Sequence, residues 1–210
     1  MDQDHPLTQA VIAGKRKLVP DLVQDCLDAG ESAQSVVENR LVPGMMTVGE
    51  RFKNNEIFVP EMLIAARAMK TALGILEPML VEAGIQPEFK AVIGTVEGDL
   101  HDIGKNLVAM MWKGANFEVI DLGVNIPAAA FAAAVEEHKP HVMGLSALLT
   151  TTMPAMRDAV TAIRATGIDT KILVGGAPVT KEYADDIGAD GYAQDAGTAA
   201  DVALEMVKSA

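Results

Sequence analysis

The chain has 210 residues, enough for one large domain or two modest ones with a real core. With 17 basic and 29 acidic residues its net charge is −12, which argues against non-specific binding to nucleic acid or an anionic membrane, since both need a basic surface. The longest apolar run, Ile126 to Val135, is mostly alanine, contains Pro127 and ends at Glu136, short of the roughly 18 residues that cross a bilayer. The opening Met-Asp-Gln-Asp-His-Pro lacks the basic-then-apolar grammar of a secretory signal, and the single Cys26 has no intrachain partner, so a cytoplasmic protein is expected.

Up to about residue 85 the pattern is helical only. Short helices are expected over 7–13 and 19–29, with Pro20 tolerated near the start of the second and Gly30 ending it. Ser32 can cap the next segment, whose Val36, Val37, Leu41 and Val42 recur at helical spacing until Pro43-Gly44 interrupts. A further piece runs to about Lys53. Pro60-Glu61 then opens a long helix with Leu63, Ala66, Met69, Leu73, Leu76 and Leu80 on one face. These segments make a small bundle, residues 1–84, with Gly84 to Glu88 as linker.

From 89 to 210 strands and helices alternate. β-rich runs at 91–94, 117–122, 142–146, 172–174 and 189–193 are separated by helical stretches near 104–114, 127–138, 153–165 and 180–187, with a last helix from about 198 to 208. Five such units predict an α/β domain: a five-stranded parallel, flavodoxin-like sheet with helices on both faces. The apolar, non-alternating strands agree with burial on both sides.

Ligands of open α/β sheets bind beyond the carboxyl ends of the strands, where the strand order reverses. Three unusual loops fall on that edge: Glu97 to Gly104 after the first strand, Ser146 to Thr152 after the third, and Gly175-Gly176-Ala177-Pro178 after the fourth. With the order 2-1-3-4-5, the first and third strands flank the reversal. The Asp99-x-His101 spacing has two readings. A ligating histidine donates its other ring N–H to a carboxylate, and Asp99 can serve His101 in that way. Alternatively Asp99 caps the helix near Gly104 and His101 is a surface loop residue. One histidine cannot build a zinc site, but it suffices for a metal that arrives in its own macrocycle. Gly175-Gly176 reads either as close approach of a ligand or as a tight turn; the Thr150–Thr152 hydroxyls read as caps, as ligand contacts, or both. His138 and His141 read as structural, His5 as part of a frayed terminus, and Cys26 as a small core residue standing apart from the scattered histidines. The first turn lacks G-x-G-x-x-G, and acidic residues 97, 99 and 102 would repel a pyrophosphate, so NAD and ATP are disfavoured.

Gly98-Asp99-Leu100-His101-Asp102-Ile103-Gly104 resembles the D-x-H-x-x-G signature of cobalamin-binding domains. Ser146-Ala147-Leu148 is similar to their S-x-L motif and Gly175-Gly176 to their G-G motif, in the right order after the right strands. Residues 31–84 also resemble the helical cap module of cobalamin-dependent methionine synthase and of corrinoid methyl-carrier proteins. The resemblance implies a corrinoid cofactor, cobalamin or a relative. His101 would ligate cobalt from below, Asp99 would hold its ring, and Thr152 would extend that chain where the family usually has serine. Gly98, Leu100, Asp102 and Gly104 complete the ligand loop. Ser146, Leu148 and Thr150 would line the nucleotide tail, Gly175 and Gly176 would let it pass, and Ala196 would lie near its far end. Phe52, Val59 and Met62 match apolar cap positions over the upper face, and Glu38 a polar one; Met62 stands where leucine or valine is usual.

The implied role is a methyl carrier on cobalt within a multi-component methyltransferase system. A donor-specific methyltransferase handling methanol, a methylamine or, in O-demethylation, a methyl ether would supply the methyl. A second methyltransferase would pass it to tetrahydrofolate or a thiol, and a reductive activating protein would restore the cobalt. Two alternatives remain: a cobalamin-binding sensor, which would need an output segment, and an enzyme with a flavin or nucleotide on the same sheet.

Overall fold

The computed structural model describes residues 4–209. The chain divides into two compact units: the residues through Glu88 together with Lys113–Asn116, and Phe89–Trp112 with the residues from Phe117 onward.

The first unit is helical. Helix α1, Pro6–Ile12, carries Pro6 in its first turn. Helix α2, Val19–Asp28, buries Val19, Val23 and Cys26. Ser32 accepts the Ser35 N–H at 3.1 Å and so caps α3, Ala33–Val36. The expected break at Pro43-Gly44 does not occur. A π-helical turn, Val37–Leu41, leads without interruption into α4, Val42–Lys53. Pro43 follows directly on that turn, so the continuous helix accommodates its missing N–H at a widened turn. The buried Thr8 hydroxyl donates to the Arg40 carbonyl at 3.0 Å. Helix α5, Val59–Glu82, opens as the Pro60-Glu61 signal predicts, with Glu61 accepting the Phe58 N–H at 3.1 Å. Its buried face is Met62, Ala65, Ala68, Met69, Ala72 and Leu76, one residue round from the predicted leucine stripe. Three alanines let neighbouring helices approach that side, and Leu63, Leu73 and Leu80 are left half-buried along its flank.

The second unit is the α/β domain. Strands β1 (Phe89–Thr95), β2 (Phe117–Asp121), β3 (Val142–Ser146), β4 (Lys171–Gly175) and β5 (Gly191–Ala193) form one sheet in the order β2-β1-β3-β4-β5. Every pairing is parallel, as the alternation predicts. Helices α6 (Ile103–Gly114), α7 (Ala128–His138), α8 (Met153–Ala165), α9 (Lys181–Asp186) and α10 (Ala196–Lys208) connect and follow the strands. Two strand glycines admit aromatic rings on opposite faces. A Cβ at Gly94 would stand 2.8 Å from Phe131, and one at Gly144 would stand 2.7 Å from Trp112. Trp112 is fully buried and donates Nε1–H to the Ala199 carbonyl at 3.0 Å.

The register aligns the carboxyl ends. Thr95 pairs with Ser146, Ser146 with Gly175, and Gly175 with Ala193. The loops that follow therefore leave the sheet from one row, and the order reverses between β1 and β3. The Gly175-Gly176 turn answers to the chain's own backbone. A Cβ at Gly175 would lie 2.7 Å from the Ala193 carbonyl oxygen, and one at Gly176, where φ is +129°, would lie 1.9 Å from that of Ala147. Gly176→Ala is expected to destabilise the ligand-free protein by about 3 kcal/mol in urea unfolding. Unchanged stability with weakened ligand binding alone would mean that this glycine serves a ligand instead.

Candidate functional site

The loop from β1 to α6 folds around one carboxylate. Asp99 is fully buried, and both its oxygens are met by donors. Oδ1 accepts the His101 backbone N–H at 3.0 Å and His101 Nδ1 at 2.7 Å. Oδ2 accepts the Leu148 N–H at 2.7 Å, the Leu149 N–H at 3.3 Å and the Thr152 hydroxyl at 2.8 Å. Burial by itself pushes the Asp99 carboxyl up. The N–H groups of Leu148 and His101, the His101 ring and the Thr152 hydroxyl outweigh it and hold the group well below the usual carboxylate range. Asp99 is thus a charged acceptor that links the loops after β1 and β3, and all five of these bonds go to groups outside α6.

The charged carboxylate sets the His101 tautomer. Nδ1–H donates to Asp99, which leaves the Nε2 lone pair outward. Half of the His101 side chain is exposed, and Nε2 has no hydrogen-bond partner among the described residues. Its loop neighbours and the residues that donate to its carboxylate carry exposed apolar side chains. Leu100 and Ile103 are 71% and 72% exposed, and Leu148 and Leu149 are 42% each. The last two offer their backbone N–H groups to the carboxylate that holds the ring. Gly104 is exposed, and a Cβ there would meet nothing within 4 Å, so the chain's own packing does not demand that glycine.

The other predicted residues are placed as follows. Gly98 has φ +80° and precedes the buried Asp99; Asp102 is exposed, and its carbonyl accepts the Asn106 N–H at 2.8 Å. Ser146 ends β3 half-buried, and Thr150 is exposed in a 3-10 turn, Thr150–Thr152. The Thr152 hydroxyl lies 2.8 Å from Asp99 and 2.9 Å from the Leu149 carbonyl and makes no cap to α8. Ala196 is buried at the start of α10, whose cap is Asp195. In the helical unit Glu38 is exposed within the π-helical turn and accepts from Gln34, Phe52 and Val59 are half-buried, and Met62 is fully buried.

His5 is not frayed: its Nδ1 accepts the Leu7 N–H at 3.2 Å and caps α1. Nor does Cys26 stand apart, because ligand atoms of His5, Cys26 and Glu31 lie within 4.8 Å of one another. The donors there are already engaged. Glu31 pairs with Arg40 through both oxygens at 3.3 Å, and ligation through His5 Nε2 would move its proton to Nδ1 and break the cap. Burial, reinforced by Glu31, also pushes the Cys26 thiol up. Sequence reasoning missed Lys105, buried in α6 with Nζ on Asp121 and Asn106, and it missed Thr95 and Asn125. A lysine among apolar positions was the one available signal for the first.

An exposed imidazole with its far nitrogen fixed by a buried carboxylate, set among apolar side chains, suits an axial ligand for a metal macrocycle. Comparison with known families agrees. The family described as B12 binding domain matches residues 89–205, and a second one of the same description matches residues 4–77. The chain belongs to the B12-binding domain family. It is similar to a corrinoid protein of Desulfitobacterium hafniense, 40% identical over 206 residues, which cover 96% of this chain and 95% of that protein. It is 38% identical to dimethylamine corrinoid protein 3 of Methanosarcina acetivorans, over 97% of this chain and 96% of that one. Among solved structures it resembles the methanol:cobalamin methyltransferase complex MtaBC of Methanosarcina barkeri, with TM-score 0.86, 28% identity and coverage of 98% of this chain and 79% of that one. No helix among the described residues is long and apolar enough to cross a membrane.

The Asp99 loop yields a pH test on the ligand-free protein. The Asp99 carboxyl is depressed on folding, so its contribution is complete above the unfolded value near 4 and is lost as pH falls through the lower folded value. Asp99→Asn should cost about 3 kcal/mol at pH 7, and the gap to wild type should hold down to about pH 4 and narrow only below it. Urea unfolding at pH 7, 5 and 3 measures both. A gap that closes between pH 7 and 5 would contradict a pre-ionised Asp99.

Proposed function

We propose that this protein carries a methyl group on the cobalt of a bound corrinoid, with His101 as the lower axial ligand. On this reading a donor-specific methyltransferase for a methylamine, methanol or a methyl ether loads it. A second methyltransferase, using tetrahydrofolate or a thiol, unloads it, and a reductive activating protein rescues oxidised cobalt. It works in the cytoplasm, where the Cys26 thiol stays reduced.

The observation that carries the reading is the outward Nε2 of His101, its Nδ1 held by a charged Asp99, on an edge of exposed Leu100, Ile103, Leu148 and Leu149. The corrinoid supplies the bond-making chemistry, since its cobalt forms and breaks the bond to the methyl group. The chain's own residues tune it. Asp99 raises the basicity of Nε2 while His101 is ligated. The Thr152 hydroxyl and the Leu148 and Leu149 N–H groups keep Asp99 in place throughout.

Open space beside Gly104 supports its place in the ligand loop. For Gly175 and Gly176 the support is weaker, because the backbone accounts for both. Ser146, Leu148, Thr150 and Ala196 remain the proposed lining of the nucleotide tail. On the same reading residues 1–84 act as the cap module, with Phe52, Val59, Met62 and Glu38 as its working residues. The match of residues 4–77 to the family supports that role. The net charge of −12 suits encounter with basic faces of several partners, an effect that salt weakens.

The test reconstitutes the protein with cobalamin, reduces it to cobalt(I), and offers methanol, dimethylamine or a methyl ether with and without the donor methyltransferase. Methylation is expected only with the partner present. His101→Ala should alter the visible spectrum of the cobalt(III) protein and lower the yield of methylated carrier. Rapid, saturable methylation by a natural donor without a partner would make this chain a complete enzyme and overturn the carrier reading.

A further inference from the structure

Asp99 orients His101, but the Asp99 loop needs orienting in turn. Two groups outside the loop do this, and neither belongs to the D-x-H-x-x-G, S-x-L or G-G motifs. Thr95, buried at the end of β1, donates its hydroxyl to the His101 carbonyl at 2.9 Å. Asn125, in the loop after β2, makes two bonds that bracket the Gly98-Asp99 dipeptide. Its Oδ1 accepts the Gly98 N–H at 2.8 Å, and its own N–H donates to the Asp99 carbonyl at 3.0 Å. With both ends of that dipeptide tied, the direction in which the Asp99 side chain leaves the backbone is set.

Asn125 is itself firmly held. Its φ is +57°, a left-handed conformation that asparagine tolerates better than most residues but that still needs support. The support is a continuation of sheet-like bonding past the end of β2. Leu122 N–H donates to the Ile93 carbonyl at 2.8 Å, Thr95 N–H to that of Gly123 at 3.0 Å, and Ile126 N–H to that of Thr95 at 3.0 Å. Val96 and Ile126 form a parallel bridge. The loop after β2 is thus fastened to the end of β1 on both sides of Asn125.

The geometry points to Asn125 as a positioning residue for the cobalt ligand: it acts through the Gly98-Asp99 backbone to hold Asp99, and through Asp99 to hold His101 Nε2 in the ligating direction. This rests on the reading of His101 as the axial ligand. It adds the loop after β2 to the three loops that carry the recognised motifs.

The variants separate side chain from backbone. Asn125→Gly keeps the left-handed backbone and its N–H but removes Oδ1. Asn125→Asp restores an acceptor at the same place. The holo-proteins are made with cobalamin reduced to cobalt(II) and with histidine labelled with nitrogen-15. A histidine on cobalt(II) then gives a doublet in the EPR spectrum, whereas the corrinoid's own base gives a triplet. Asn125→Gly is expected to lower the ratio of doublet to all other forms about fivefold, the net worth of one neutral hydrogen bond. Asn125→Asp should return within about twofold of wild type. In the ligand-free protein, exchange of the Gly98 amide should quicken by a similar factor in Asn125→Gly, with the melting temperature within a few degrees of wild type.

A doublet in wild type that persists undiminished in Asn125→Gly overturns the role of Asn125 and leaves the ligand reading standing. Loss of fold in both variants overturns it too, by making Asn125 a scaffold residue. No doublet in wild type, with His101→Ala indistinguishable from it, overturns the ligand reading and this inference with it.

Discussion

A buried carboxylate must be met by donors or it will not stay charged, and Asp99 is met on every side. Its donors come from its own loop and from the loop after β3. Neither loop can settle alone, since each would leave a polar group orphaned in the interior. The register that pairs Thr95 with Ser146 brings the two within reach. The cost of burying this charge is therefore offset by joining two loops that the chain separates by about fifty residues. The same arrangement leaves one nitrogen pointing outward.

The surface around that nitrogen complements it. The molecule is acidic overall, yet the edge beside His101 presents leucine and isoleucine side chains. Such an edge suits a flat apolar face better than a phosphate. The glycines sort in a similar way. Gly175 and Gly176 are spent on the closeness of Ala193 and Ala147, whereas Gly104 faces open space. A motif glycine can thus serve the fold in one loop and stand free for a ligand in the next.

Much of this was legible in the sequence, and what was not has physical causes. Strand β3 and helix α8 lie at the predicted residues because their apolar runs are bounded by clear breakers. The parallel pairing followed from the alternation, whereas the strand order was only assumed; the Asp99-x-His101 spacing left two readings open, and the contact between the two side chains decides between them. The break expected at Pro43 failed because a widened turn absorbs the ring, and nothing in the local pattern announces such a turn. The face of α5 was misjudged because leucines dominate a hydrophobic pattern, whereas alanines govern how closely helices pack. Asn125 and Thr95 were invisible for another reason. Their partners are backbone atoms, and a backbone N–H or carbonyl has no letter in the sequence. His5 was dismissed by its position near the terminus, although its ring nitrogen caps a helix.

Trp112 is the chain's one tryptophan, sealed in the α/β unit with its indole N–H on the first turn of α10. Its emission therefore comes from a single dry environment, free of the overlapping signals that complicate most proteins of this size. Corrins absorb in the near ultraviolet where indole emits, so a corrinoid bound within the same unit would drain that light. The molecule thus contains an optical gauge of its own loading, readable in a cuvette without label or partner.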